Sequence, residues 1–296
     1  DTTDFLDIDD VTPAELDALV DRAAALKAGG VDPQLRDRTL GMIFEKPSTR
    51  TRVSFETGMS RLGGHAMFLG PDDIQLGHGE PLRDTARVLG RYVDAVMARL
   101  FDHADAEVLA EHADCPVING LTDEAHPCQT LADLLTIRES VGSDATVAWV
   151  GDGNNVGQSF VVGAAMAGID VSVATPAGYG MDPAVFDRAA ACGADIEPTT
   201  DPAHVVADAD VVYTDVWISM GQEAEREEKL AAFDGFQVNA DLLAGTDASV
   251  MHCLPAHRGE EITNDVLESD RALVWDQAEN RMHAQNALLV ELLADE

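Results

Sequence analysis

The segment Phe44-Glu45-Lys46-Pro47-Ser48-Thr49-Arg50-Thr51-Arg52 ends a strand-like apolar run and opens an amphipathic stretch, so it gathers hydroxyls and guanidiniums at a helix N-terminus. Free backbone N–H groups and the positive end of the helix dipole favour an anion there. Ser48, Thr49, Arg50 and Thr51 add donors suited to a phosphate, with no metal required. The same hydroxyls would also serve as ordinary caps of a helix over Arg50 to Leu62, with both arginines solvated.

Four further clusters fall just beyond strand-like runs. His126-Pro127-Cys128-Gln129 opens a long helical pattern at a proline-fixed corner, so His126 and Gln129 can face one crevice. A histidine donates to a carbonyl oxygen, and a glutamine both donates to and accepts from an amide, which suits a carbamoyl-like ligand; a plain helix cap needs the same residues. Arg99, near the end of the run Ala95 to Leu100, is another donor at that edge or a surface arginine. Asp215-Val216-Trp217-Ile218-Ser219-Met220-Gly221 offers a carboxylate, a hydroxyl and glycine-adjacent backbone, as an amino-acid ligand requires, and equally reads as a turn before a core tryptophan. His252-Cys253-Leu254-Pro255 ends another run with a thiol, for which burial is the usual expectation. Strand alternation sends His252 and Cys253 to opposite sides, which disfavours joint metal ligation. Gly151-Asp152-Gly153-Asn154-Asn155-Val156-Gly157 resembles a dinucleotide-binding turn, but its third glycine is one residue late and no ribose-binding acid follows the next strand, where Ala174-Thr175-Pro176 stands.

These clusters need a frame that brings strand ends together. Apolar runs at Thr39 to Phe44, His65 to Leu69, Ala95 to Leu100 and Pro116 to Asn119 alternate with helical stretches near 50–62, 82–92 and 104–113, and a long helix then runs to Gly142. A second series follows at Ala145 to Val150, Asp170 to Ala174, Ala209 to Tyr213, Gln237 to Asn239, Val250 to Leu254 and Leu273 to Trp275. The alternation predicts an α/β protein of two doubly wound parallel-sheet domains joined by long helices. The expected division is residues 1–138 and 139–278, with a terminal helix over 279–296 packing back on the first domain. Ligands in such sheets collect beyond the carboxyl ends of the strands, where every cluster named above lies.

Composition limits the partners. The 296 residues are 46% hydrophobic, enough for two cores, and carry a formal net charge of −35. Lys27, Lys46 and Lys229 are the only lysines among 19 basic residues. Nucleic acid and anionic membranes are therefore excluded as partners. The acids are scattered over helix faces, as at Glu15, Asp17 and Asp21, and read as the coat of a folded protein in a salt-rich cytoplasm, where a Debye length of about 3 Å near 1 M removes most self-repulsion. Cys115, Cys128, Cys192 and Cys253 have no zinc-type spacing, and no stretch reads as a signal peptide or membrane span. A reduced, soluble, cytoplasmic protein is expected.

Taken together, the motifs resemble the aspartate/ornithine carbamoyltransferase family, and its ornithine-specific members most closely. Ser48-Thr49-Arg50-Thr51-Arg52, Gln75 before Gly77, Arg99, His126-Pro127-Cys128-Gln129, Gly151-Asp152-Gly153-Asn154-Asn155, Asp215-Val216-Trp217, Ser219-Met220-Gly221 and His252-Cys253-Leu254-Pro255 follow in family order over nearly the whole chain. The first and fourth are shared with the aspartate-specific members and concern carbamoyl phosphate. Ser219-Met220-Gly221 and His252-Cys253-Leu254-Pro255 are similar to the ornithine type, and Gln75 stands where the aspartate type is expected to present a lysine.

The resemblance implies transfer of the carbamoyl group of carbamoyl phosphate to the distal amine of L-ornithine, giving L-citrulline and phosphate, in arginine metabolism. It implies that Ser48, Thr49, Arg50, Thr51, Gln75, Arg99, His126, Gln129, Cys253, Leu254 and Arg281 bind carbamoyl phosphate, and that Asn155, Asp215, Ser219 and Met220 bind ornithine. Arg50, Arg99, His126, Asp215 and Cys253 would carry the catalysis, with Arg52 buttressing its loop through an ion pair and Asn154 shaping its turn. Cys253 would accept the amine's proton or orient the amine through Asp215. No metal or organic cofactor is implied. The implied assembly is a homotrimer or a multiple of trimers, with Gln75 donated by a neighbouring subunit. Two readings from other classes stand beside this one: a nucleotide-binding oxidoreductase, and an amino-acid-binding module without turnover.

Overall fold

Continuous apolar runs form parallel strands covered on both faces, as crossover connections require. The computed structural model describes residues 4–30, 33–71, 74, 79–219 and 223–294. The chain divides into one unit of residues 1–135 with 280–296 and a second of residues 136–279. The first unit contains α1 (Pro13–Gly29), β1 (Thr39–Phe44), α2 (Thr49–Arg61), β2 (His65–Leu69), α3 (Leu82–Leu89), β3 (Ala95–Arg99), α4 (His103–His112), β4 (Val117–Leu121) and the start of α5 (Pro127–Ser140). The second contains β5 (Thr146–Val150), α6 (Asn155–Met166), β6 (Asp170–Ala174), α7 (Pro183–Ala191), α8 (Pro202–Val206), β7 (Val211–Thr214), α9 (Arg226–Ala232), β8 (Ser249–His252), α10 (Asn264–Leu267) and the start of α11 (Val274–Leu293). The division falls inside α5 and inside α11, so two long helices join the units.

Both sheets are parallel and have the same order, β2-β1-β3-β4 and β6-β5-β7-β8. In each, the first strand's crossover runs to one side and the third strand's to the other. That reversal opens a crevice at the carboxyl ends of β1 and β3, and of β5 and β7. Register places Phe44, the last residue of β1, opposite Arg99, the last residue of β3. Leu40, Met42, Ile43, Val96, Met97 and Ala98 are fully buried, and their burial holds those two strand ends side by side. The second sheet is similarly enclosed: Val150, Val212 and Val250 pack with Trp217, Phe233 and Phe236.

Two expected strands are absent. Gln237 to Asn239 makes a single bridge, Val238 to Ile262, and Leu273 to Trp275 is divided between a bridge and a helix. Ala272 bridges Val250, Leu273 N donates to Val250 O, and Gln277 N then donates to Leu273 O, so Leu273 already caps α11. The terminal helix therefore begins at Val274, earlier than its apolar face over Arg281 to Leu293 suggests. Trp275, read as the end of a strand, is about half exposed on the first turn of that helix. Among the described residues no helix is long and apolar enough to cross a membrane.

Candidate active site

In the first unit the phosphate-type motif is a capped helix start. Ser48 has extended backbone and its Oγ accepts from Thr51 N at 3.2 Å, so α2 opens with its hydroxyls at the carboxyl end of β1. Ser48 Oγ also donates to Thr51 Oγ1 at 3.1 Å. Arg281, on α11, lies in the same cluster. Its Nη1 donates to Gln129 Oε1 at 2.7 Å and lies 3.5 Å from His126 Nε2, while Nη2 reaches Thr51 Oγ1 at 3.5 Å. Gln285, with its amide oxygen toward Arg281, accepts from Nη2 at 3.1 Å. Gln129 in turn donates to Asp133 Oδ1 at 2.7 Å, which fixes the direction of its amide.

Thr51, Arg99, His126, Gln129 and Arg281 are all buried, and Arg50 is half-buried at the first turn of α2. Burial, then the Arg281 and Arg99 guanidiniums, hold the His126 imidazole well below its ordinary pKa of 6.5. A neutral imidazole beside guanidiniums can polarise a carbonyl without adding a titrating charge. Cys128, in the same motif, is inert packing: its Sγ donates to Asn119 O at 3.4 Å, and burial pushes its thiol up to about 12. Arg52 pairs with Glu56 at 3.0 Å and stacks over Phe68, away from this cluster.

The second unit gathers the amino-acid-type residues at the ends of β5, β7 and β8. Asp215 accepts from Cys253 Sγ on Oδ1 at 3.0 Å and from Asn154 Nδ2 on Oδ2 at 2.8 Å. Asn154 also caps α6, its Oδ1 taking Val156 N and Gly157 N at 3.1 Å each, so the turn-shaping and Asp215-holding tasks fall on one side chain. Asn155 begins α6 at the same corner, and Ser219 follows β7 after Trp217. Gln75 and Met220, with their neighbours Gly77 and Gly221, lie outside the described residues.

The alternation argument about His252 and Cys253 fails here, because β8 ends at His252 and Leu254 turns to φ +60°. The ligating atoms of Asp215, His252 and Cys253 consequently lie within 4.8 Å of one another. Both ring nitrogens of His252 are nevertheless in use: Nδ1 accepts from Leu254 N at 2.9 Å, and Nε2 donates to Glu261 Oε1 at 3.0 Å. That arrangement fixes the tautomer and the Leu254 backbone, and leaves the imidazole no lone pair for a metal.

Glycine packing accounts for the dinucleotide-like turn. A Cβ on Gly153 would sit 2.4 Å from the Gly180–Met181 peptide, and one on Gly157 would sit 2.6 Å from the Trp149 indole. The glycines make room for the protein's own backbone and ring, where a nucleotide fingerprint would keep that room for a pyrophosphate.

Residues 3–139 match the carbamoyl-P binding domain of aspartate/ornithine carbamoyltransferase, and residues 143–292 match its Asp/Orn binding domain. The chain belongs to the aspartate/ornithine carbamoyltransferase family. An ornithine carbamoyltransferase of Haloquadratum walsbyi is 68% identical over 99% of each chain. An enzyme of Pyrococcus furiosus named "Ornithine carbamoyltransferase, anabolic" is 53% identical, over 97% of this chain and 95% of its own. The solved structure of the ornithine carbamoyltransferase from Pyrococcus furiosus superimposes with a TM-score of 0.94 at 52% identity, covering 99% of this chain and 97% of that one.

Motif reading passed over three groups that hold this family's loops in place here. Lys229 is only 3% exposed; its Nζ donates to Asp152 Oδ2 at 2.7 Å and to Trp217 O at 2.9 Å, tying the loop after β5 to the loop after β7. Burial raises the Asp152 pKa and the Lys229 ammonium opposes that rise. Lys46, also 3% exposed, pairs with Asp123 and lies 4.4 Å from the Phe101 ring centroid, anchoring the loop before Ser48. Glu261 holds His252. Scarcity was the available signal for the lysines: in a chain whose cations are nearly all arginines, each lysine stands out as a compact point charge that a planar guanidinium does not replace. Nothing in the pair Glu260-Glu261 distinguishes the buried acid from its neighbour.

Proposed function

We propose that the chain transfers the carbamoyl group of carbamoyl phosphate to the distal amine of L-ornithine. The observation that carries the acceptor assignment is the chain Cys253–Asp215–Asn154, whose carboxylate is held at both oxygens at the carboxyl end of β7. Residues 1–135 with 280–296 bind carbamoyl phosphate in this reading. Ser48, Thr49, Arg50 and Thr51 take the phosphate, Gln75 from a neighbouring subunit joins them, and Arg99 and Arg281 add charge. Arg50, Arg99 and His126 polarise the carbonyl, while Gln129 and the Leu254 carbonyl take the carbamoyl nitrogen. Residues 136–279 bind ornithine: Asn155, Ser219 and the Met220 backbone hold its amino-acid end, and Asp215 and Cys253 orient its distal amine.

The amine attacks the carbonyl carbon as the free base. A lysine-type amine has a pKa near 10.4, so binding must select or create that form, and the Cys253–Asp215 pair offers the acceptor. The carbonyl pair of electrons moves to oxygen, where each preorganised donor can contribute about 3 kcal/mol. Collapse of the tetrahedral intermediate breaks the carbon–oxygen bond to phosphate, the amine's proton leaves by way of Asp215 or the departing phosphate, and citrulline remains. These steps call for no metal or organic cofactor. The working assembly is a homotrimer or a multiple of it in a salt-rich cytoplasm, and the reaction serves arginine metabolism. Cleavage of a mixed anhydride makes citrulline formation the downhill direction.

Offering ornithine, N-acetylornithine, aspartate and putrescine separately with carbamoyl phosphate tests the assignment. Citrulline from ornithine, with no product from the other three, is expected. Product from another amine alone would overturn the acceptor assignment, and no product from any would overturn the activity.

A further inference from the structure

The turn after the Cys253 loop brings together three metal-binding atoms that the reaction does not use. Glu261 is completely buried. Its Oε1 accepts from His252 Nε2 at 3.0 Å and from His257 N at 2.5 Å, whereas its Oε2 is shielded from solvent and has no hydrogen-bond partner. His257 Nδ1 is shielded and without a hydrogen-bond partner in the same way, and it lies 3.9 Å from Glu261 Oε2 and 3.9 Å from Glu260 Oε2. One ligating atom from each of His257, Glu260 and Glu261 falls within 4.8 Å of the other two. Arg226 holds the other oxygen of Glu260, which turns Oε2 toward His257. Gln237 Nε2 fixes the turn by donating to the carbonyls of Gly259 and Glu260 at 2.9 Å each.

A fully buried carboxylate oxygen with no donor is costly unless a cation neutralises it. His257 Nδ1 stands 3.9 Å from that oxygen and Glu260 Oε2 stands 3.9 Å from Nδ1, and both are lone-pair donors. We propose that His257 Nδ1, Glu260 Oε2 and Glu261 Oε2 bind one divalent first-row transition cation of the zinc class. One nitrogen and two oxygens suit such an ion, whereas calcium and magnesium favour all-oxygen sets. Metal–ligand distances of about 2.1 Å put tetrahedral donors about 3.4 Å apart, so each 3.9 Å gap closes by roughly half an ångström. The His257 side chain is 41% exposed and gives the ion a way in, with water completing the shell. Arg226 and His252 orient the two carboxylates from behind, as outer partners of metal ligands do. Because Glu261 also holds His252, and His252 holds the Leu254 amide, an ion here would stiffen the loop that carries Cys253. Ligation itself needs no substrate and stands apart from the activity.

Titrating the chelator-treated full chain with Co²⁺ in molar KCl, where weak binding to scattered surface acids is screened, tests the site. One equivalent with a visible d–d band, displaced by Zn²⁺, is expected. His257→Ala and Glu260→Gln should each weaken binding roughly 100-fold or more, and the exposed His204→Ala should leave it unchanged. Absence of a stoichiometric band, or affinity unchanged in His257→Ala and Glu260→Gln, would overturn the proposal. A thiolate-to-cobalt charge-transfer band lost in Cys253→Ser would overturn it too, by assigning the ion to Asp215 and Cys253.

Discussion

Asp215 binds through both carboxylate oxygens, and the two bonds differ in what they support. Oδ2 holds the α6 cap through Asn154, and Oδ1 holds the thiol of Cys253. Asp215→Asn keeps the shape but replaces an acceptor-only group with one that must present an NH2 to one of those donors. Turnover with ornithine should fall roughly 100-fold or more while the KM for carbamoyl phosphate stays within a few-fold, since the hydrogen-bond partners of Asp215, Cys253 and Asn154, belong to the proposed ornithine-binding unit. Initial rates of citrulline formation against each substrate check this, and an equal rise in both KM values would show that Asp215 does not act on ornithine alone. His126 makes a different prediction. Unfolded, it takes up a proton as pH falls below about 6.5; folded, burial and then Arg281 and Arg99 keep the proton off until lower pH. Over that interval the unfolded state binds more protons, so stability falls with falling pH by up to about 1.4 kcal/mol per unit. His126→Gln removes that contribution, and its melting temperature should drop less than the parent's between pH 6.5 and 5. Parallel declines would show that His126 is not held neutral.

The start of α2 carries two readings, cap and anion site, and one substitution separates them. Ser48 accepts from Thr51 N, as aspartate would at the same N-cap position. Ser48→Asp should therefore keep thermal stability within about 0.5 kcal/mol, yet raise the KM for carbamoyl phosphate more than about 10-fold by placing a carboxylate at the proposed phosphate site. An unchanged KM would leave Ser48 as a cap alone. Most elements were legible for the reason this one was. Fully covered parallel strands appear as uninterrupted apolar runs bounded by turn residues, and the run Thr39 to Phe44 survives to the residue as β1. The runs Gln237 to Asn239 and Leu273 to Trp275 misled because runs of only three residues suit a single bridge or a first helical turn as well as a strand. What distinguishes them is a pairing partner distant in sequence, such as Val250 for Ala272, which no local pattern contains. The candidate site was legible as far as its chemistry demands unusual residue types in sequence, as in Ser48 to Arg52 or His126 to Gln129. Lys229, Lys46 and Glu261 escaped because ordinary residue types acquire their roles only through burial.

At the scale of the whole molecule, charge decides the outcome. All three lysines are engaged by the protein itself: Lys46 and Lys229 are buried ion-pair partners, and the half-buried Lys27 donates to Asn280 Oδ1 at 2.8 Å. The solvated surface is left to acids and arginines, with a net charge of −35. Exposed pairs such as Arg22–Glu291, Arg52–Glu56, Arg87–Asp84 and Arg258–Glu268 each contribute about 0–1 kcal/mol, and salt weakens them. Salt also screens repulsion among the acids, which far outnumber the basic residues, and the range of that repulsion falls from a Debye length of about 10 Å at 0.1 M to about 3 Å at 1 M. With 54 acidic residues against 19 basic ones, relief of repulsion should outweigh the lost pairs. The melting temperature should consequently rise between 0.1 M and 1 M KCl and level off above that, once the screening length is shorter than the spacing between charges. Sucrose at matched osmolality separates this from generic exclusion of solute, which also favours burial but screens no charge. A small rise in sucrose with a large, saturating rise in KCl is the expected pair. Equal rises in the two, or a KCl curve that climbs without levelling, would mean that the acidic coat is not what makes the fold depend on salt.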